Sequence, residues 1–396
     1  MKKTLLATAI AGAMVASGAQ AATVYNQDGT KLDIYGNVQI GFRNIEVGQD
    51  DGSVETENDV FDNGSTIGFA AEHVIYDGLT GYMKIEFDDF KADEMKTAGR
   101  DAGDTAYVGL KGNFGDLKLG SYDTLMDDWI QDPVTNNEYF DLSDTSGSGA
   151  ASIFGGGSYQ RNDSGEIMRD DNGTPLVDRD GLGGEVETDQ LTYVSPSFSG
   201  LQLAVGTQYK GDMESENLTG KGNASIFGGA KYTVGNFSVA AMYDNLDNYE
   251  VRSEVAKENG QEFGDRYGVT GQYQWNTLRV ALKYERFESD NDLLNSEDTN
   301  FYGLGARYGY GNGDIYGAYQ YVDVGGETFG DVVSDVGSGD SPSDTAADRG
   351  DDTYNEFIVG GTYNISDAMY TWVEAAFYDR EDDEGDGVAA GVTYMF

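Results

Sequence analysis

The stretch "YGVTGQYQWNTLRVALKYE", residues 267–285, decides the fold. Before its turn, Tyr267, Val269, Tyr273 and Trp275 share one parity; after it, Leu278, Val280, Leu282 and Tyr284 do the same. Thr270, Gln272 and Gln274, then Arg279, Lys283 and Glu285, take the alternate positions. Successive side chains of a strand point to opposite faces, so this is a hairpin with one apolar, aromatic face and one polar, charged face. The tight "WNT" turn (275–277) joins the two strands.

The design repeats along the chain. "KLDIYGNVQIGF" places Leu32, Ile34, Val38, Ile40 and Phe42 against Asp33, Tyr35, Asn37 and Gln39. "LTGYMKIEF" places Leu79, Met83, Ile85 and Phe87 against Tyr82, Lys84 and Glu86. "NEFIVGGTYNI" and the terminal "VAAGVTYMF" (388–396) follow the same rule. There are about sixteen such segments, each near the ~9–11 residues that a tilted strand needs to cross a bilayer. Short turns at 76–78, 111–113, 195–199, 235–236, 275–277, 309–313 and 364–367 alternate with long acidic, glycine-rich connections at 46–63, 91–103, 121–186, 211–222, 245–264, 289–298 and 324–352.

A soluble sandwich also alternates, but its outward face meets water and its inward face is an apolar core. Here the polar face is too charged for a core, and the apolar face too aromatic for water. Lipid outside and a wet lumen inside satisfy both. An open sheet in hydrocarbon would leave backbone groups unpaired, so the sheet must close. The expected fold is therefore all-β, a transmembrane antiparallel barrel of sixteen strands.

Composition agrees. Among 396 residues there are 56 Gly, 27 Tyr and 18 Phe, against 4 Pro and no Cys. Asp and Glu number 70 and Lys and Arg 25, for a formal charge of −45, which argues against nucleic acid as a partner. Residues 1–21, with Lys2, Lys3, an apolar run and "AQA" before Ala22, read as a cleaved secretory signal peptide. The barrel domain then covers 22–396. The lone His73 lies near a short turn and has no second His, Cys or serine motif to work with, so no catalytic site and no cofactor are expected. "DDNGTPLVDRDGLGGE" (170–185) offers Asp170, Asp171, Asp178, Asp180 and Glu185 as a weak calcium candidate, but lacks the spacing of a calcium loop.

Five stretches resemble one family. "ATVYNQDGTKLDIYGNV" (22–38), "GLTGYMKIEF" (78–87), "AYVGLKGNFGDLKLG" (106–120), "DQLTYVSPSFSGLQLAVGTQY" (189–209) and "VAAGVTYMF" are similar to the general trimeric porins of Gram-negative outer membranes. The resemblance implies a homotrimer of water-filled pores in the outer membrane, for passive diffusion of small hydrophilic solutes and ions. It implies contact with lipopolysaccharide, and assembly by machinery that reads the aromatic end. It also implies a constriction loop, here about 121–186, folded into the lumen. The loop acids expected there are Asp123, Asp127, Asp128, Glu138 and Asp141.

The sequence departs from the family at the opposing basic ladder, whose usual positions fall on Asn37, Thr66, Asp104 and about Val186. Lumen-wall charges expected to matter are Arg43, Lys84, Glu86, Asp104, Lys118, Arg279 and Lys283, with Lys231, Arg266 and Arg307 on the same face by parity. Uncompensated acids at a constriction select cations, so a cation-preferring pore is the expectation. The alternatives are a sugar-type channel, with Tyr35, Tyr82, Tyr370 and Trp372 turned inward and eighteen strands, or an adhesin or structural barrel. The resemblance further implies that Ala22 and Phe396 meet where the barrel closes.

Overall fold

The computed structural model describes residues 21–48, 54–87, 105–135, 137–145, 158–159, 177–178, 189–210, 223–247, 264–289, 298–324, 353–379 and 385–396. The expected leader, Asp104, Val186 and the calcium candidates Asp170, Asp171, Asp180 and Glu185 lie outside these residues. The strands are β1 (Ala22–Gln27), β2 (Thr30–Gly48), β3 (Val54–Asp62), β4 (Thr66–Tyr76), β5 (Leu79–Phe87), β6 (Thr105–Gly112) and β7 (Gly115–Ser121). After a constricting segment come the two-residue pieces β8 (Ser158–Tyr159) and β9 (Val177–Asp178), then β10 (Gln190–Val194), β11 (Leu201–Lys210), β12 (Asn223–Val234) and β13 (Phe237–Asp244). The remainder are β14 (Gly264–Trp275), β15 (Leu278–Ser289), β16 (Thr299–Gly309), β17 (Asp314–Val324), β18 (Thr353–Ser366), β19 (Met369–Tyr378) and β20 (Gly387–Met395).

All wall neighbours pair antiparallel and form a closed barrel of 16 strands. Two walls are composite. β3 and β4 run as one strand along β2, interrupted at Asn63–Ser65. β1 and β20 likewise share one position beside β2. Ala22 pairs with Ile34, while Phe396 exchanges backbone bonds with Gly36 at 3.0 and 2.9 Å. The two chain ends thus abut, two residues apart on the strand they both pair with. Phe396 caps this seam because residue 36 has no side chain: a Cβ there would lie 2.8 Å from the Phe396 ring.

The faces are inverted relative to a soluble protein. On β15 Leu282 is 60% exposed, whereas the side chains of Lys283 and Glu285 are fully buried. Trp275, Val388, Val392 and Tyr394 also lie on the exposed apolar face. That arrangement is stable only where the exterior is hydrocarbon and the interior is polar. The opening hairpin is confirmed in register, Trp275 opposite Leu278 and Tyr267 opposite Arg286, with Asn276 at φ 53° making the turn.

Two expectations need refinement. Among its described residues the third long connection adds no strand to the wall: β8 and β9 pair only with each other. The interruption at Asn63–Ser65 was not foreseen; 46–63 reads as loop, yet Val54–Asp62 is wall. There the Asp62 carboxylate accepts the Ser65 N–H at 2.7 Å, and Ser65 Oγ accepts the Gln39 N–H at 2.9 Å, so the bulge satisfies its own backbone.

Candidate functional site: a segment docked inside the barrel

Residues 122–135 and 137–145, following β7, turn into the lumen. Their apolar side chains pack on the inner wall: Leu125, Met126, Trp129 and Ile130 against Ala204, Phe227, Ala240 and Met242, and Val134, Phe140 and Leu142 against Ala281, Ala318, Ile358 and Trp372. Small inward residues on the wall strands leave room for this. A short helical turn, Asp127–Gln131, carries the first contact.

Polar anchors fix the rest of the segment. Glu374 on β19 accepts the backbone N–H groups of Glu138, Tyr139 and Phe140 at 2.6, 2.8 and 2.9 Å. Glu356 on β18 accepts the Ser143 N–H and hydroxyl at 2.8 and 2.6 Å. Glu285 on β15 accepts from Gln131 at 2.6 Å and from Thr145, and is paired with Lys283 at 3.1 Å. These three carboxylates are buried. Each does what a buried charge must: it meets several donors at once. Beneath the last residues, Arg266 binds Asp244 at 3.0 Å and donates to the Thr145 carbonyl at 3.2 Å. On the far side, Asn63 in the wall bulge donates to the Glu138 carbonyl at 2.8 Å, and Arg43 to the Tyr139 hydroxyl at 2.9 Å. The segment therefore bridges the lumen from β2–β3 to β15–β19.

The anticipated acids take different positions. Asp123 and Asp141 are exposed; Asp127, Asp128 and Glu138 are half-buried. Asp127 accepts the Thr124 N–H and hydroxyl at 2.9 and 2.7 Å, closing the helical turn. Glu138 accepts from Tyr370 at 2.9 Å and lies 3.5 Å from Arg307. Asp141 Oδ1 accepts the Leu142 N–H at 2.8 Å. Burial pushes the carboxyls of Asp127 and Asp132 up to about 7. Burial also raises Asp128 and Glu138, against the pull of Lys118 and Lys231 on the first and of Tyr370 and Arg307 on the second.

The wall cations divide into three sets. Lys118, Lys231 and Arg279 face the segment: the first two act on Asp128 and the third on Asp132. Arg43, at 3.8 Å from Asp59, and Lys84, at 3.3 Å from Glu86, pair with wall acids. Lys283, anticipated as a pore-lining charge, is instead buried under the segment, because its inward position lies where the segment docks. The neutral pair at the family's basic positions is present as expected, Asn37 donating to Thr66 at 2.9 Å. The loop acids are therefore not uncompensated, but Lys118, Lys231 and Arg279 oppose them from other strands. Among the described residues no group of three or more His, Cys, Asp or Glu could hold a metal ion.

What sequence reasoning missed was the anchors, Glu285, Glu356 and Glu374. Their signal was present: Glu285, Glu356 and Glu374 stand at inward positions, where wall partners such as Lys283 and Gln320 leave carboxylate oxygens able to accept further donors.

Comparison with known proteins agrees with this geometry. A family model described as Gram-negative porin matches residues 7–383. A Halomonas sp protein named "Monosaccharide porin" and the "Major outer membrane protein" of Halomonas elongata are each 80% identical to this chain over all of both chains. Among solved structures, Salmonella typhi OmpF superposes with a TM-score of 0.63 at 18% identity, covering 95% of this chain and 100% of that one. With a closed wall, an apolar exterior and a segment docked across a polar lumen, the chain belongs to the Gram-negative porin family and is an outer-membrane pore.

Proposed function

We propose that this pore passes small uncharged polyols, monosaccharides above all, together with ions and water, by passive diffusion through each barrel of a homotrimer. The observation that carries the reading is the full-length 80% identity to the protein named "Monosaccharide porin". The lumen is compatible with it. Tyr35, Tyr82 and Tyr370 are inward and half-buried, as a sugar-type channel wants, while Trp372 is buried behind the segment. The wall has sixteen strands rather than the eighteen anticipated for such a channel, so selectivity would come from the docked segment and not from a wider barrel. No energy input is required: the solute exchanges water hydrogen bonds for those of the lumen wall and moves down its gradient.

Ion preference is a second part of the reading. Lys118, Lys231 and Arg279 offset the loop acids, and Asp127 and Asp132 titrate near neutrality, so the balance is set by pH and is not a fixed preference for cations. Swelling of liposomes holding the purified protein tests the main reading. Glucose should enter fast and a trisaccharide of equal osmolarity should enter far more slowly. Equal rates for both would exclude a monosaccharide-sized pore.

A further inference from the structure

On the lumen side of β5–β7, between the short turns and the docked segment, the wall carries a tyrosine cluster. The Tyr82 and Tyr107 rings meet edge to face at 6.0 Å, and Tyr107 meets Tyr122 at 5.3 Å. Tyr122 is 3% exposed and supports the cluster from behind, bonding to Thr192 at 2.9 Å. Tyr82 and Tyr107 are half-buried inward residues of the lumen wall, less covered than Tyr122. Tyr82 lies against the wall because Gly109 faces it across the ladder; a Cβ on residue 109 would collide with the ring.

Polar groups rim these rings. The Tyr82 hydroxyl donates to Asp116. The Lys118 ammonium sits 4.8 Å from the Tyr107 centroid and 3.6 Å from that of Tyr122. Glu86, paired with Lys84 at 3.3 Å, lies on the same inward face of β5 as Tyr82. Asp128 of the docked segment stands within the influence of Lys118. Acids and ammonium groups thus both border the aromatic cluster.

We infer that this cluster, Tyr82 and Tyr107 with Asp116 and Lys118, is a saccharide-binding subsite on the lumen wall beside the constriction. The inference rests on the monosaccharide reading above and deepens it. A pyranose offers an apolar C–H face and a rim of hydroxyls that both donate and accept. An aromatic surface takes the first, and carboxylates with an ammonium take the second. A wall serving ions alone needs the charges but not the rings. Because its charges are of both signs, the cluster concentrates neither anions nor cations, and an uncharged polyol loses little by entering it.

The test is block of ion current through single trimers in a planar bilayer by added D-glucose. The wild-type current should fall and saturate with glucose concentration. Tyr107→Ala and Tyr82→Ala should each raise the half-blocking concentration several-fold, to about tenfold for loss of one aromatic contact. Tyr107→Phe, which keeps the ring, should stay close to wild type. If an alanine variant fails to insert, Lys118→Met tests the rim in its place and should also raise the half-blocking concentration. Saturable block in the wild type with unchanged values in Tyr107→Ala, Tyr82→Ala and Lys118→Met would overturn the subsite and leave the monosaccharide reading standing. Absence of saturable block in the wild type would overturn the subsite alone; the monosaccharide reading falls only if glucose and the trisaccharide swell liposomes at equal rates.

Discussion

Asp127 and Asp132 show how one residue's surroundings change a pore. Both sit on a segment packed into a narrow lumen, and burial holds each carboxyl up to about 7. Below that value the neutral acid dominates, and above it the carboxylate does. Raising the pH from 5 to 9 should therefore add negative charge beside Arg266, Lys231 and Arg279, and increase cation over anion permeability. Reversal potentials under a KCl gradient at the two pH values measure this; a ratio independent of pH would contradict the assignment. Arg266 and Asp244 give a second prediction at this scale. Their side chains are 1% and 3% exposed and meet at 3.0 Å. Arg266→Met alone would strand a buried carboxylate and lower stability by about 3–5 kcal/mol, whereas removing both charges together would cost much less. Thermal unfolding in detergent, with the double variant as control, separates the two.

At the scale of the element, the seam between β1, β2 and β20 closes the barrel. Gly36 allows the Phe396 ring to lie over β2, so Gly36→Val should displace that ring and also press on the Thr66 carbonyl. Deleting Phe396 removes two backbone bonds to Gly36 as well as the ring. Both changes should lower the yield of folded, membrane-inserted protein; normal yield from both would count against the seam as described. The strands themselves were legible in the sequence because parity is a local property: Leu282 outward and Lys283 inward follow from their neighbours alone. The break at Asn63–Ser65 was not, because a bulge is defined by its partner strand, and Gln39 lies 26 residues from Ser65 in sequence. The composite wall of β1 and β20 is an intermediate case: alternation identified β20, whereas β1 entered through the resemblance, which also joined the two ends.

For the whole molecule, the pore is the relation between a rigid wall and one segment fastened inside it. The segment's acids could be named from the sequence, since they stand in one short run after β7. Its fastenings could not. Glu374 and Glu356 lie 236 and 213 residues from the N–H groups they accept, and only closure of the barrel brings them together. The same separation hid the fate of Lys283, whose inward parity was legible but whose cover by the segment was not. We propose that these carboxylates hold the segment at the position that limits passage. The most direct test is the size cut-off for polyethylene glycols entering single channels, in the wild type and in a variant with Glu374→Ala and Glu356→Ala combined. Wild-type channels should be open with a sharp cut-off, and the variant should show a larger, noisier conductance and a cut-off moved to longer polymers. The same cut-off and conductance in both proteins would contradict it.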